Sequence, residues 1–99
     1  MLLNIHKNHD GKKITVICDE SLKGKCFEEE EKLLDLNCRF YNGEKADEET
    51  IMHHIKTSYL VNAVGEKTIA FLESKKLVSK ESVKKICNVP YTQFVFEEM

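Results

Sequence analysis

The sequence predicts an α+β domain: a small, mostly antiparallel sheet that starts with a β-hairpin, about three helices packed on one face, and a C-terminal strand. Three observations predict it. Two β-rich runs flank an Asp10–Gly11 pair at the start of the chain, the chemistry of a tight hairpin turn. Apolar residues then recur at spacings of three and four between Ile51 and Leu72, the period of helices. A last apolar run, Phe94 to Phe96, follows the single proline. Strands first, helices next and a strand last argue for segregated layers rather than a wound parallel sheet. The 99 residues make one domain, 1–99, and a chain of this size buries roughly two-thirds of its unfolded surface, enough for a core without staples.

Each element follows from its residues. Runs 2–7 and 13–18 form the hairpin. Asp19 to Lys25 reads as a turn or a single helical turn, and Glu28 to Glu31 as a solvated acidic face. Leu34, Leu36, Cys38 and Phe40 alternate with Asp35, Asn37 and Arg39, which is the period of a strand with one buried face. Asn42–Gly43 ends that strand, and Glu44 to Ala46 is a short return strand. Asp47 caps a helix with Glu48 and Glu49 in its first turn, where the helix dipole favours negative charge. Ile51, Met52 and Ile55 are its apolar stripe. Val61, Val64, Thr68, Phe71 and Leu72 predict a second helix over about 59–75, with Gly65 inside it at a cost of about 1 kcal/mol against alanine. Ser79 opens a third, near 80–86, which Pro90 and its neighbours break. Residues 92–97 close the chain as a strand.

Charge is uneven. Apolar residues make up 41% and charged residues 32%, with a net charge of −2, so the chain is globular and not a polyanion binder as a whole. Between Phe27 and Thr50, nine acids face three bases; between Lys75 and Lys85, five lysines face only Glu81. Lys75, Lys76, Lys80, Lys84 and Lys85 on a helix pair would make a phosphate-contacting patch. No apolar run reaches bilayer length and no export signal opens the chain, so the expected location is cytoplasmic.

Other chemistry finds little footing. His53 and His54 are adjacent and point about 100° apart on a helix, whereas two ligands to one metal prefer a spacing of four. His6 and His9 are a loose pair. Cys18, Cys26, Cys38 and Cys87 lack zinc-knuckle spacing and read as small apolar residues. No metal, cofactor or catalytic set is expected. Gly65–Glu66–Lys67–Thr68 misses the phosphate-loop pattern, because Glu66 stands where lysine must follow the glycine and Leu60 where the first glycine belongs.

Short stretches also occur in an ordered series: Leu2 to Ile5, Cys18–Asp19–Glu20, Gly24–Lys25 with Phe27, Phe40 to Glu44, Asn62 to Glu66, and Val89–Pro90. In that order they resemble the archaeal family catalogued as domain of unknown function 424, over nearly the whole chain. The resemblance implies a small archaeal cytosolic protein with no assigned activity. Within its stretches Gly24, Phe27, Gly65 and Pro90 have ready structural explanations. Lys25 and Asn62 are harder to explain by packing and are the candidate functional site.

These readings favour a non-enzymatic binding module over an enzyme. The expected partner is RNA or a ribonucleoprotein in translation-related housekeeping, met by the lysines at 75–85 and by Lys25. One alternative is a protein-interaction or homodimeric scaffold built on strand 92–97 as an edge. Another is a small enzyme with its site near Lys25 and Asn62.

Overall fold

The computed structural model describes residues 1–37 and 39–96. The chain opens on the hairpin its turn chemistry demands. Strands β1 (Leu2–Lys7) and β2 (Lys13–Cys18) pair antiparallel, with Leu2 opposite Cys18 and Lys7 opposite Lys13. Gly11 adopts φ 79°, a region where glycine avoids the steric cost of a side chain. The Asn8 side-chain oxygen accepts from the amides of Asp10 and Lys12, both at 3.0 Å.

A 3₁₀ turn at Glu20–Leu22 leads to a second hairpin, β3 (Cys26–Glu29) and β4 (Lys32–Asp35), in a sheet of its own. The acidic run is therefore strand and turn, and Glu30 takes the left-handed bend at φ 55°. The strand expected over 34–40 is met only at its start. Leu34 and Leu36 are buried and Asp35 is exposed, but the chain then coils into a 3₁₀ turn at Arg39–Tyr41. Cys38 lies outside the described residues. β5 (Glu44–Lys45) pairs antiparallel with β1. A Cβ on Gly43 would stand 2.5 Å from the Leu3 carbonyl oxygen, so glycine is what lets the chain approach β1 here.

Helix α1 (Glu48–Lys56) begins as its cap predicts: Asp47 accepts from the Thr50 amide at 2.8 Å. Ile51 and Ile55 are fully buried. The next helix is shorter than its periodicity suggests. Leu60–Val64 is a strand, β6, lying parallel to β2, and helix α2 covers only Glu66–Ser74. β6 presents Val61 and Ala63 to the helices and Leu60, Asn62 and Val64 to the other face, where only Asn62 is polar, so the alternation that marks a half-buried strand is weak. Val61 and Val64 thus matched a helical spacing across a strand–helix junction.

The third expected helix is absent. A 3₁₀ turn at Lys80–Ser82, without a side-chain cap from Ser79, leads into β7 (Lys84–Ile86) and β8 (Val89–Val95). Cys87 and Asn88, both at positive φ (50° and 65°), make the two-residue turn between them. Two helices rather than three therefore accompany a six-stranded sheet in the order β5–β1–β2–β6–β8–β7, antiparallel except for the β2–β6 pair.

Both helices lie on one face. Ile17, Val61 and Ala63 from the sheet meet Ile51, Ile55, Ile69, Phe71 and Leu72. The β3–β4 hairpin covers one end of the opposite face, where Leu34 and Leu36 pack on Cys18, Val64 and Ile86. Phe94 and Phe96 face the helices and Val95 is exposed, as their alternation predicts. β8 runs beside β6, and on its other side it pairs with β7 only over Val89–Tyr91. Thr92 to Val95 thus have a strand neighbour on one side only, as expected of an edge, and Glu97 lies outside the described residues.

Candidate nucleic-acid interface

The parallel pair β2–β6 sets the geometry. In open α/β sheets, ligands favour the crevice at the carboxyl ends of parallel strands, beside a helix N-terminus. Here that place is filled by the protein itself. Asp19, which follows β2, is 6% exposed and turns its carboxylate onto the first turn of α2. It accepts from the Lys67 amide at 3.0 Å, the Thr68 amide at 2.8 Å and the Thr68 hydroxyl at 2.7 Å. Gly65 precedes α2 at φ 112°, and a Cβ there would overlap the Asp19 carboxylate. Asp19 and Gly65 form one interlocked unit, drawn from two of the stretches that carried the family resemblance. Sequence reading missed it because Asp19 caps a helix nearly fifty residues away.

The neighbouring Cys18 thiol is buried, and burial first, then the Asp19 carboxylate, pushes its pKa up to about 11. Burial thus favours the protonated thiol at neutral pH.

Asn62 lies on the other side of the sheet from the helices. On that face its row runs Asn4, Val16, Asn62, Gln93. It lines an open cleft of about 420 Å³ with Gln93, Tyr41, Tyr91 and Lys84. The Asn62 amide donates to the Gln93 side-chain oxygen only at 3.4 Å, so both amides keep most of their hydrogen-bonding capacity toward the cleft. Ser82 and Thr92 also line it, but both hydroxyls donate to backbone carbonyls, of Ser79 and Ser82 respectively. Among the described residues neither imidazole nor carboxylate lines the cleft to activate them. The wall bearing Tyr41 is held by Asn4, whose amide donates to the carbonyls of Arg39, Phe40 and Asn42 at 3.0–3.3 Å. The His6 ring stacks on Phe40 at 4.9 Å.

The remaining candidates scatter. Lys84 and Lys85 belong to a strand, not a helix, so they point to opposite faces. Lys84 enters the Asn62 cleft, whereas Lys85 and Lys80 line a groove against α2 together with Glu66 and Glu73. Lys75 sits near Glu48, Glu49 and His53 on α1. Lys76 takes the left-handed position that ends α2, at φ 60°, and there its amide donates to Glu73 and that of Leu77 to Leu72, a Schellman end. The five lysines do not make one patch. Lys25 is exposed in the loop before β3 and does not line the Asn62 cleft. Gln93 and Tyr41 went unnoticed in the sequence, since the β6–β8 register brings Gln93, and the turn held by Asn4 brings Tyr41, beside Asn62. Among the described residues, no three His, Cys, Asp or Glu side chains converge as a metal site. No described helix is long and apolar enough to cross a membrane.

A model of the family described as "Protein of unknown function (DUF424)" matches residues 6–96. The chain belongs to this family. No curated protein matches this DUF424 member. Among solved structures it is similar to the crystal structure of an uncharacterized conserved protein from Methanopyrus kandleri. The two share 23% identity at a TM-score of 0.74, over 99% of this chain and 94% of that one. That likeness establishes a shared fold, with the same α+β layout of mostly antiparallel sheet and C-terminal strand.

Proposed function

We propose that this DUF424 protein is a non-enzymatic RNA-binding module of the archaeal cytoplasm, acting in translation-related housekeeping. The observation that carries the reading is the meeting of Asn62 and Lys84 in one cleft. The two were singled out on independent grounds, one by resemblance and one by charge. Side-chain amides such as those of Asn62 and Gln93 can match the donor and acceptor edge of a base. Tyrosine rings offer stacking surfaces, and a lysine at the rim meets phosphate. Hydroxyls tied to carbonyls, with no base in the cleft, favour binding over chemistry.

A filter-binding titration against structured RNA at low salt tests this. Lys84→Glu is expected to weaken binding about tenfold, and Asn62→Ala to weaken it severalfold. Lys85→Glu, on the opposite face, is the internal control and is expected to change little. Failure of the unaltered protein to bind, or equal weakening at Lys84 and Lys85, sinks the reading.

A further inference from the structure

The amino end of the β2–β6 pair holds a concentration of positive charge that the sequence does not display. The strand register sets Lys7 directly opposite Lys13. Like charges so placed destabilise a ladder. Lys13 Nζ is held 2.8 Å from His54 Nδ1 and 2.6 Å from the Thr57 hydroxyl, at the C-terminal end of α1, with no carboxylate bonded to it among the described residues. Its pKa is lowered, first by burial and then by Lys7. Lys12 Nζ stands 4.1 Å from the centre of the Tyr59 ring, which is 42% exposed. Lys56, which ends α1, adjoins Thr57 in the chain, and with His53 it borders Glu48 and Glu49. Asp10 lies at the hairpin tip, 4.0 Å from His9.

A chain with a net charge of −2 has carboxylates enough to neutralise such a cluster, yet among the described residues none is ion-paired to Lys7, Lys12 or Lys13. Crowded cations without a carboxylate between them raise the energy of the free protein, and an added anion removes that cost. A row of phosphates is the anion whose spacing suits several separate lysines, with Tyr59 as a stacking surface among them.

We infer that the pole carrying Lys7, Lys12, Lys13, Lys56 and Tyr59 is a contact for the sugar–phosphate backbone of RNA, separate from the Asn62–Lys84 cleft. The inference rests on the RNA-binding reading above but assigns it a different surface.

Fluorescence polarisation with a labelled, short single-stranded RNA, at about 50 mM and about 200 mM salt, tests it. Lys7, Lys12 and Lys56 are exposed, so the triple variant K7Q/K12Q/K56Q is expected to fold as the parent does, checked by circular dichroism. It is expected to bind at least tenfold more weakly at low salt, and its dependence of log affinity on log salt is expected to be shallower by about 0.7 for each phosphate no longer neutralised. Tyr59→Ala is expected to cost a further fivefold or more. If the triple variant binds like the parent while N62A/K84E is weakened, the pole is overturned and the cleft stands. If only the triple variant is weakened, the pole stands and the cleft falls.

Discussion

The two ends of the β2–β6 pair treat charge in opposite ways. At the carboxyl end one carboxylate, Asp19, is buried and its oxygens take three hydrogen bonds from the start of α2. At the amino end Lys7, Lys12 and Lys13 crowd around Tyr59 and the end of α1, where Lys12 meets a ring and Lys13 an imidazole and a hydroxyl. One end is satisfied from within; the other is left with charge to satisfy. A helix N-terminus beside parallel strands is where ligands commonly sit, yet in this fold that position serves stability. Location in a fold is a weaker guide to function than whether the polar groups there already have partners.

The largest effect is expected where the satisfied end is broken. Gly65→Ala drives a Cβ into the Asp19 carboxylate and is expected to destabilise by about 3–5 kcal/mol or to prevent folding, read from urea denaturation. A variant that melts like the parent would remove the interlock. Asp19→Ala leaves the Lys67 and Thr68 amides without their acceptor and is expected to cost about 2–4 kcal/mol. Asp19→Asn, which keeps the shape but loses the charge, should fall between.

Changes at the charged end should run the other way. Lys7→Thr removes the cation facing Lys13 and is expected to raise stability by up to about 1 kcal/mol, while weakening RNA binding. A drop in stability would show that Lys7 is tolerated in the ladder for a packing reason instead. The smallest effect is a pH slope. Burial first, then Lys13 and His53, lowers the pKa of His54 from 6.5. The unfolded chain therefore binds a proton more readily there than the folded one. The stability associated with neutral His54 is complete above 6.5 and is lost as pH falls through the depressed folded value. Urea midpoints taken on either side of that window should differ in the parent and converge in His54→Asn.

How much of this was legible follows the turns. The first hairpin announced itself because Asp10–Gly11 is a turn with a strong local signature, and Asp47 announced α1. The β3–β4 and β7–β8 hairpins stayed hidden because their turns are made by Glu30 and by Cys87–Asn88, where non-glycine residues accept positive φ. β6 stayed hidden because Asn62 is the one polar residue among its five, too little alternation to mark a strand. Of the site, Asn62 and Lys84 were visible as individual residues but not as neighbours. Lys7 and Lys13 were visible as lysines but not as a facing pair. Register and crossover brought them together, and neither is written in local periodicity.

The Asp19 carboxylate also bears on the order in which the protein takes shape. Its two amide partners stand 48 and 49 residues downstream, and α2 has only nine residues, too few to persist alone in water. As the chain emerges from the ribosome, Asp19 is exposed long before its partners exist. α2 can become durable only after β6 has docked beside β2, so a fragment beginning after Asp19 would contain every residue of that helix and still fail to hold it.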